Sequence, residues 1–274
     1  MKALLLANRT IETDGPAFVM GIVNTTPDSF WKESRGMTER ALRLIDEGAD
    51  ILDIGGESTR PGSNYIDADE EIRRIVPVIE EIRRHSDIPV SVDTRKKAVM
   101  QAAMDAGADM LNDVSALEDD AELGPFAAQS NIPVILMHKR GIPAIMARNT
   151  AYDDVFAEVN DYLAKRVAYA ESVGIDSRRI ILDPGIGFGK NAAGNCELIR
   201  RCGELCGGSY PVLMALSRKT VIGDLTGRPV EERLVGTIAA NLVSVQRGAS
   251  ILRVHDVKET VDAMAVLKGI VYNE

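Results

Sequence analysis

The sequence predicts an α/β fold, a (β/α)8 barrel of the TIM type that forms a single domain over residues 1–274. Three observations predict it. Eight short apolar segments alternate with long amphipathic ones, one phrase recurs where a helix gives way to a strand, and polar residues gather just after the apolar segments. The length of 274 residues suits one such barrel, whose active site is then expected at the carboxyl ends of the strands.

The eight apolar segments are expected to be parallel strands buried on both faces, because they are almost continuously apolar rather than alternating. In chain order they are Phe18–Val23, Ile51–Gly55, Pro89–Val92, Met110–Val114, Pro133–Met137, Ile180–Leu182, Pro211–Leu216 and Ile251–Val254. Residues 1–17 are expected to be an N-terminal extension that leads into the barrel.

The segments between the strands carry apolar residues at helical spacing, which predicts one helix after each strand. They are Thr38–Glu47, Asp69–Arg84, Lys96–Ala106, Ala121–Gln129, Tyr152–Val173, Asn191–Cys206, Glu231–Arg247 and Val257–Lys268. No linker or low-complexity stretch interrupts the alternation, so we expect no boundary to a second domain.

One phrase occurs three times, at Gly48–Asp53, Gly107–Asn112 and Gly248–Arg253. Each copy follows a helical segment, so its glycine is expected just after the end of a helix and before a buried strand. The spacing of the copies fits two and four βα units of about 30 residues each.

Composition limits the classes of partner. The formal net charge is −9 and the sequence pI is about 5.0, which argue against nucleic acid or an anionic membrane as a partner. No apolar run approaches the roughly 20 residues that span a bilayer, and no secretory apolar region is recognisable, so a cytoplasmic location is expected. Cys196, Cys202 and Cys206 are expected on one helix, where three cysteines are poor material for disulfides.

Polar residues follow almost every predicted strand. At or just beyond the strand ends lie Asn24, Asp93, Asn112, His138, Asp183, Ser217, Arg253 and His255. Any one of them could simply begin a loop, but the strand ends of a barrel meet at one face, where barrel enzymes assemble their chemistry. Arg253 and His255 are two residues apart, so a strand would point them to the same side.

Four loops at that face carry further candidates. Segments 21–30 and 55–62 combine glycine, proline and hydroxyl residues, and the second also contains Arg60. The loop Asp183–Lys190 is rich in glycine but matches neither a Walker A nor a GxGxxG pattern. Ser217–Thr220 adds two cations and two hydroxyls at the barrel mouth.

The types of these residues indicate the kind of ligand. Acceptors such as Asp93, Asn112 and Asp183 suit a heterocycle with N–H donors. The cations Arg60, Lys219 and Arg253, together with His255, suit a phosphorylated group. The residues alone therefore predict a barrel that binds a nitrogen heterocycle carrying phosphate.

Eight stretches of the sequence resemble the dihydropteroate synthase family, from about Phe18 to the C-terminus. They read MGIVNTTPDSF, DIGGESTRPG, SVDT, NDVSAL, LMHKRGIPAIM, LDPGIGFGK, SRKTVIG and LRVHD, in the order and at the spacing of the family. The resemblance implies the condensation of 6-hydroxymethyl-7,8-dihydropterin diphosphate with 4-aminobenzoate, which gives 7,8-dihydropteroate and diphosphate in folate biosynthesis. It also implies a homodimer, formed through helices far from the barrel mouth.

The resemblance further implies a role for each matching residue. The pterin would be held by Asp93, Asn112, Asp183 and Lys219, and the diphosphate by Asn24, Arg60, Arg253 and His255. Asn24 would also bind Mg2+ together with diphosphate oxygens. The aminobenzoate pocket would consist of Phe30, Thr59, Pro61, Phe188, Lys219 and Thr220. Asp93, Lys219, Arg253 and His255 would act in catalysis, a largely dissociative displacement in which the neutral amine attacks the methylene carbon.

Two other functions remain open. A methyltransferase that passes a methyl group from methyltetrahydrofolate to a corrinoid protein could share the pterin acceptors, but it has no need of a diphosphate clamp. A non-catalytic pterin-binding paralogue is favoured only by the segment Trp31–Gly36, which is bulkier and differently charged than is usual in the resembled family.

Overall fold

The computed structural model describes residues 2–24, 34–58, 65–141 and 150–272. An antiparallel hairpin comes first and is followed by eight strands of a parallel sheet. The strands are β1 (Lys2–Leu5), β2 (Thr10–Thr13), β3 (Phe18–Asn24), β4 (Ile51–Gly55), β5 (Val90–Asp93), β6 (Met110–Asp113), β7 (Val134–Met137), β8 (Ile180–Asp183), β9 (Leu213–Met214) and β10 (Ile251–Val254).

The parallel sheet closes into a barrel. Its strands follow the order β8, β7, β6, β5, β4, β3, β10 and β9, and a parallel bridge between Leu182 and Val212 joins the two ends. Each of the eight predicted strands is present, which confirms the (β/α)8 fold. The register places Asp93 opposite both Gly55 and Asn112, so three neighbouring strands end at a similar level and the polar side chains of Asp93 and Asn112 are adjacent.

Nine helices occur in the described part of the chain. They are α1 (Ser34–Asp46), α2 (Ala68–His85), α3 (Lys97–Asp105), α4 (Leu123–Ser130), α5 (Val155–Ser172), α6 (Ala192–Arg200), α7 (Thr220–Thr226), α8 (Leu234–Gln246) and α9 (Val257–Leu267). Gly48, Gly107 and Gly248 adopt φ angles of 94°, 109° and 106° after α1, α3 and α8, so the recurring phrase marks helix ends as predicted. None of the helices described combines the length and the apolar character needed to cross a membrane.

The helix predicted at Asn191–Cys206 is wrong at its carboxyl end. α6 stops at Arg200, and a 3-10 segment, Cys202–Gly208, follows with non-helical backbone at Leu205, Cys206 and Gly207. A Cβ atom at Gly203 would lie 2.3 Å from the carbonyl oxygen of Arg247, so the chain turns here to pass the end of α8 at a distance that only glycine permits. The three cysteines are therefore free thiols on two elements rather than on one helix.

The hairpin β1–β2 closes the amino end of the barrel. Leu4 and Leu6 are buried in one cluster with inward side chains of the strands, among them Phe18 and Met20. Arg179 Nη1 donates to the carbonyl oxygens of Leu5 at 3.0 Å and Leu6 at 2.6 Å. The extension predicted at residues 1–17 therefore contributes to the barrel core itself.

The hairpin should matter for stability and not for chemistry. Leu6→Ala removes a side chain that is 2% exposed, and is expected to lower the free energy of unfolding by about 2–5 kcal/mol, as is usual for such truncations. Urea denaturation followed by circular dichroism measures the change. Lys165→Ala, at an exposed lysine of α5, is the control and should stay within about 0.5 kcal/mol of the unchanged protein. Equal effects of the two substitutions would contradict the packing of the hairpin under the barrel.

Candidate active site

A network of buried charges occupies the centre of the barrel mouth. Arg253 on β10 donates from Nε to Asp53 Oδ2 at 2.6 Å and from Nη2 to Asp93 Oδ2 at 2.9 Å. Asn112 Nδ2 lies 3.3 and 3.2 Å from the two carboxylate oxygens of Asp53. Side chains of β4, β5, β6 and β10 thus meet within hydrogen-bond distance.

Burial changes the acidity of these groups. It raises the pKa of Asp93 to about 7, although the positive charge of Arg253 acts in the opposite direction, and the carboxylates of Asp53, Glu71 and Asp113 add to the rise. The pKa of Arg253 is also raised, because Asp53 and Asp93 together outweigh the desolvation of its guanidinium. Arg253 therefore stays charged at every pH of interest.

Asp183 ends β8 on another side of the mouth. It is 3% exposed, and its Oδ1 accepts the backbone N–H of Gly185 at 2.7 Å. Burial raises the pKa of Asp183, while the charges of Lys219, Arg253 and Lys190 counteract the rise. One carboxylate oxygen is held by the backbone, so the other is available to a ligand.

Two lysines hold the loop that follows Asp183. The buried ammonium of Lys190 donates to the carbonyl oxygens of Gly185 at 2.8 Å and Phe188 at 3.0 Å. Lys219 Nζ donates to the carbonyl oxygen of Ile186 at 2.5 Å and lies 4.9 Å from the centre of the Phe188 ring. The loop is therefore fixed from below by Lys190 and from the mouth by Lys219.

The cation of Lys219 is weakened by its surroundings. Desolvation, together with the charge of Arg253, lowers the pKa of Lys219 to about 8, although the charges of Asp183 and Asp93 act in the opposite direction. These interactions place Lys219 among Asp183, Asp93 and Arg253, as the sequence predicts for a common site.

A histidine and an arginine border the mouth beside β3 and β10. His255 Nδ1 lies 2.9 Å from Ser217 Oγ, and burial, Arg253 and Arg40 lower the pKa of His255 to about 4, so its imidazole is neutral. Arg40 on α1 donates to the carbonyl oxygens of Ile22 at 3.1 Å and His255 at 3.3 Å. This edge of the mouth therefore carries positive charge close to the end of β3.

Asn24, the last residue of β3, is exposed and faces the same space as Asp93. A Cβ atom added at Gly55 would lie 3.8 Å from Asn24 Oδ1 and 3.8 Å from Asp93 Oδ2, so the glycine leaves room between the two side chains. In the described residues no group of three or more His, Cys, Asp or Glu could hold a metal ion by itself. Asn24 Oδ1 and a carboxylate oxygen fit Mg2+ only if most of its ligands come from water or substrate phosphate.

The structure brings together most of the predicted residues that it describes. Asp93, Asn112, Asp183, Lys219 and Arg253 interact directly or through their charges, and Phe188 lies beside Lys219. Thr220 is the exposed first residue of α7, an element that the sequence did not predict. Phe30, Thr59, Arg60 and Pro61 lie outside the described residues, as does Trp31.

His138 lies beneath the mouth rather than in it. Its ring packs edge-on against Tyr162 with the ring centres 4.9 Å apart, and burial lowers its pKa to about 3. Its backbone N–H donates to the carbonyl oxygen of Asp183 at 3.0 Å. His138 therefore supports the strand that carries Asp183.

Sequence reasoning missed the role of Asp53. A signal was present, since Asp53, Asn112 and Arg253 are the last residues of the three copies of the recurring phrase. Equivalent positions on parallel strands of one barrel lie at similar depth, and these three side chains are the ones that hydrogen-bond to each other.

Comparison with known proteins identifies the family of the chain. The family profile described as pterin binding enzyme matches residues 20–255. The chain is 43% identical over 259 residues to a dihydropteroate synthase of Escherichia coli, which covers 92% of this chain and 90% of the relative. Among solved structures, a Xanthomonas albilineans dihydropteroate synthase with 4-aminobenzoic acid has a TM-score of 0.92 at 46% identity and 99% coverage of both chains. The enzyme of that organism in complex with 7,8-dihydropteroate has a TM-score of 0.89 at 44% identity, again with 99% coverage of both chains.

Proposed function

Because the chain belongs to the pterin-binding enzymes, and within them to the dihydropteroate synthases, which are transferases, we propose that the barrel mouth described above is where its reaction takes place. The reaction joins the methylene carbon of 6-hydroxymethyl-7,8-dihydropterin diphosphate to the amine of 4-aminobenzoate and releases diphosphate. The observation that carries the assignment is the convergence of buried acceptors with Arg253 and Lys219 at one strand-end face. Such a face suits a ligand that is rich in N–H donors at one end and anionic at the other.

The pterin is assigned to the inner acceptors. Asp183 offers one carboxylate oxygen that the backbone leaves free, and Asn112 offers its amide oxygen because its Nδ2 is directed to Asp53. Asp93 and Lys219 complete this set of ligands. An acceptor-lined pocket favours the amino and N–H groups of a pterin over an aromatic ring without donors.

The diphosphate is assigned to the cationic edge. Arg253 uses Nε and Nη2 for Asp53 and Asp93, and its Nη1 makes no hydrogen bond within the described segments, so it can bind a phosphate oxygen. His255 and Asn24 are proposed ligands of the same group, and Arg60 is proposed from the sequence only. The neutral imidazole of His255 would donate a hydrogen bond rather than a charge.

Mg2+ is the proposed metal. Asn24 Oδ1 would bind it together with diphosphate oxygens, and Asp93 lies within reach of the same space. When bound, Mg2+ would neutralise negative charge on the leaving group. A metal that arrives with the substrate agrees with a neutral protein ligand such as Asn24.

The chain's own residues account for the order of bond changes. Arg253 stabilises the charge that develops on diphosphate as the carbon–oxygen bond breaks. The electron-poor methylene that remains is conjugated with the dihydropterin ring, and Asp93 lies close enough to stabilise its positive charge. The lone pair of the neutral amine nitrogen then forms the new bond. The arylammonium that results is acidic and releases one proton to water or to the released diphosphate, so no strong general base is needed.

The aminobenzoate pocket is proposed next to Lys219. The aromatic ring of Phe188 lies beside Lys219, and Thr220, the residue that follows Lys219, begins α7. Phe30, Thr59 and Pro61 are proposed members of this pocket from the sequence only.

The decisive test of the function follows both products. Diphosphate and dihydropteroate should form in equal amounts from the pterin diphosphate, 4-aminobenzoate and Mg2+, and omission of any one component should stop both. Binding of the pterin without any release of diphosphate would favour the non-catalytic paralogue. Methyl transfer from methyltetrahydrofolate to a corrinoid would favour the methyltransferase.

Lys219 should control the alkaline side of the pH profile. A lysine is charged below its pKa, so a pKa of about 8 means that its charge is lost as the pH rises through 8. We expect kcat/KM to fall above that pH, and Lys219→Arg to remove the fall because a guanidinium remains charged. Initial rates between pH 6 and pH 10 measure both profiles on the same substrates. An alkaline fall that persists unchanged in Lys219→Arg would assign the titration to another group.

A homodimer in the cytoplasm, built from one domain per chain, is the proposed assembly. Large apolar side chains are exposed on neighbouring elements of the described structure: Leu225, Val230, Val235, Val243, Val266 and Ile270. A patch of this kind is typical of a surface that another protein covers. A second copy of this chain is the proposed occupant, in agreement with the dimer that the sequence resemblance implies.

Val235→Asp should therefore weaken the dimer. Val235 is 80% exposed on α8, so a carboxylate there costs little in the monomer but would be desolvated in the interface. Light scattering over a range of protein concentrations should show a monomer for this variant and a dimer for the unchanged protein. Gln129→Asp, at an exposed position of α4, is the control and should remain dimeric. A dimer that tolerates Val235→Asp would place the interface elsewhere.

A further inference from the structure

One buried carboxylate connects the residues assigned to the pterin with those assigned to the diphosphate. Asp53 lies in the middle of β4 with a fully buried side chain, and it accepts hydrogen bonds from Asn112 and Arg253. We propose that Asp53 is a positioning residue that sets the amide orientation of Asn112 and the guanidinium orientation of Arg253. The proposal rests on the pterin and diphosphate assignments made above.

The effect on Asn112 follows from the two ends of its amide. An amide group offers a donor nitrogen on one side and an acceptor oxygen on the other. A carboxylate can only accept, so Asp53 attracts Nδ2, at distances of 3.3 and 3.2 Å. The Oδ1 atom of Asn112 is therefore directed away from Asp53, as an acceptor for the N–H donors of a pterin.

The effect on Arg253 follows from the planar guanidinium. Its Nε is 2.6 Å from Asp53, and its Nη2 is 2.9 Å from Asp93, so two carboxylates hold one edge of the group. Asp53 is fully buried whereas the Arg253 side chain is 17% exposed, so the interaction with Asp53 anchors the inner end. The outer nitrogen, Nη1, is thereby directed to the side where the diphosphate is assigned.

Asp53 belongs to the strands rather than to a loop, which makes it a rigid anchor. The three residues occupy the same position in the three copies of the recurring phrase, on β4, β6 and β10. Their backbone atoms are fixed by the parallel hydrogen bonds of the barrel. A ligand set that depends on Asp53 is therefore organised before substrate arrives, and this reduces the cost of ordering it on binding.

Asp53 also influences the charge on Asp93. The charged groups that face Asp93 from the elements around it are Arg253 on β10, Asp53 on β4, Glu71 on α2, Asp113 on β6 and Lys219 after β9. The negative charge of Asp53 raises the pKa of Asp93. Its removal should lower that pKa, both directly and because Arg253 would then interact with Asp93 alone.

The test is Asp53→Asn, which keeps the shape of the side chain and removes its negative charge. We expect at least a tenfold loss of affinity for 6-hydroxymethyl-dihydropterin and for inorganic diphosphate, each measured separately by calorimetry. We also expect at least a tenfold loss of kcat/KM and a shift of the acid limb of its pH profile to lower pH. A merely structural residue would lower the melting temperature without that shift.

The control is Asp50→Asn, at the residue that precedes the same strand. Asp50 accepts the backbone N–H of Val19 at 2.7 Å, and no contact links it to the mouth residues in the segments described. Its variant should bind both probes normally. Normal binding of both probes by Asp53→Asn, with an unchanged acid limb, would overturn the proposal. An unchanged protein that makes no dihydropteroate would instead refute the proposed function.

A second pair of variants keeps the test open if Asp53→Asn does not fold. Arg253→Gln and the double variant Asp53→Asn/Arg253→Gln differ only in the group that faces Asn112, and the double variant removes the charge of Asp53 together with that of its partner Arg253. The double variant should bind 6-hydroxymethyl-dihydropterin at least several-fold more weakly than Arg253→Gln. Equal affinities would show that Asp53 does not orient Asn112.

Discussion

Arg253→Ala is expected to lower kcat/KM by about 100- to 1000-fold, the range found when one group that stabilises developing charge is removed. The loss should lie mainly in kcat when the pterin substrate is saturating, because the charge on the leaving diphosphate grows as the bond to carbon breaks. Steady-state rates with both substrates varied would separate kcat from KM. This is one of the two largest effects that we expect from a single substitution.

The same substitution should destabilise the fold. Removal of the guanidinium leaves Asp53 and Asp93 without the cation that both contact, and breaking a buried ion pair costs about 3–5 kcal/mol. The pKa of Asp93, already about 7, should rise further when its only cationic hydrogen-bond donor in the described structure is lost. The acid limb of the remaining activity should therefore move to higher pH, opposite to the shift expected for Asp53→Asn.

Arg83→Ala is the matched control for this experiment. Arg83 pairs with Asp109 at 2.6 Å near the amino end of the barrel, where both side chains are partly buried. Its loss should lower stability without changing kcat. A wild-type rate in folded Arg253→Ala would remove Arg253 from the mechanism, whatever the stability of the variant.

The barrel could be predicted because each strand carries its own signal. Segments such as Ile51–Gly55 are mostly apolar and buried on both faces, which indicates a parallel sheet covered on both sides, and eight such βα units without a second domain favour its closure into a barrel. The glycines at positions 48, 107 and 248 then fix where helices end, since their positive φ angles disfavour other residues. Fold and strand order therefore followed from local patterns.

Features that depend on distant contacts could not be predicted in the same way. α6 ends early because Gly203 meets the backbone of Arg247, more than forty residues later in the chain. The hairpin β1–β2 is too short to be recognised by its pattern, and its burial depends on inward side chains of the strands above it. Neither partner is visible in the local sequence.

In the candidate site, too, the features predicted from local sequence differ from those that depend on distant contacts. Asp93, Asn112 and Asp183 could be predicted because strand ends of a barrel meet at one face. The sharing of Arg253 between two carboxylates could not, because hydrogen-bond partners depend on side-chain direction and depth. The position of Asp53 in the recurring phrase indicated which residues lie near it, but not that its carboxylate accepts hydrogen bonds from both Asn112 and Arg253.

Asp183→Ala is expected to reduce affinity for the pterin by at least 1000-fold, since a site built to bind N–H donors depends strongly on its acceptors. Asp183 Oδ1 already accepts the N–H of Gly185 at 2.7 Å. In Asp183→Asn the amide oxygen would keep this bond, and the NH2 group would then face the pterin donors. Asp183→Asn should therefore lose nearly as much pterin affinity as Asp183→Ala, although asparagine differs from aspartate only by an NH2 group in place of one carboxylate oxygen.

Stability separates this effect from damage to the fold. Burial raises the pKa of Asp183, so its charged form is less favourable in the folded than in the unfolded protein at neutral pH. Replacement by the neutral amide removes that cost, so the melting temperature of Asp183→Asn should not fall. Calorimetry with 6-hydroxymethyl-dihydropterin gives the affinity, and Asp50→Asn, at a partly buried aspartate, is again the control. Pterin affinity retained by Asp183→Asn would show that the pterin is bound by other acceptors of the mouth, because only the direction of the donor changes in this variant.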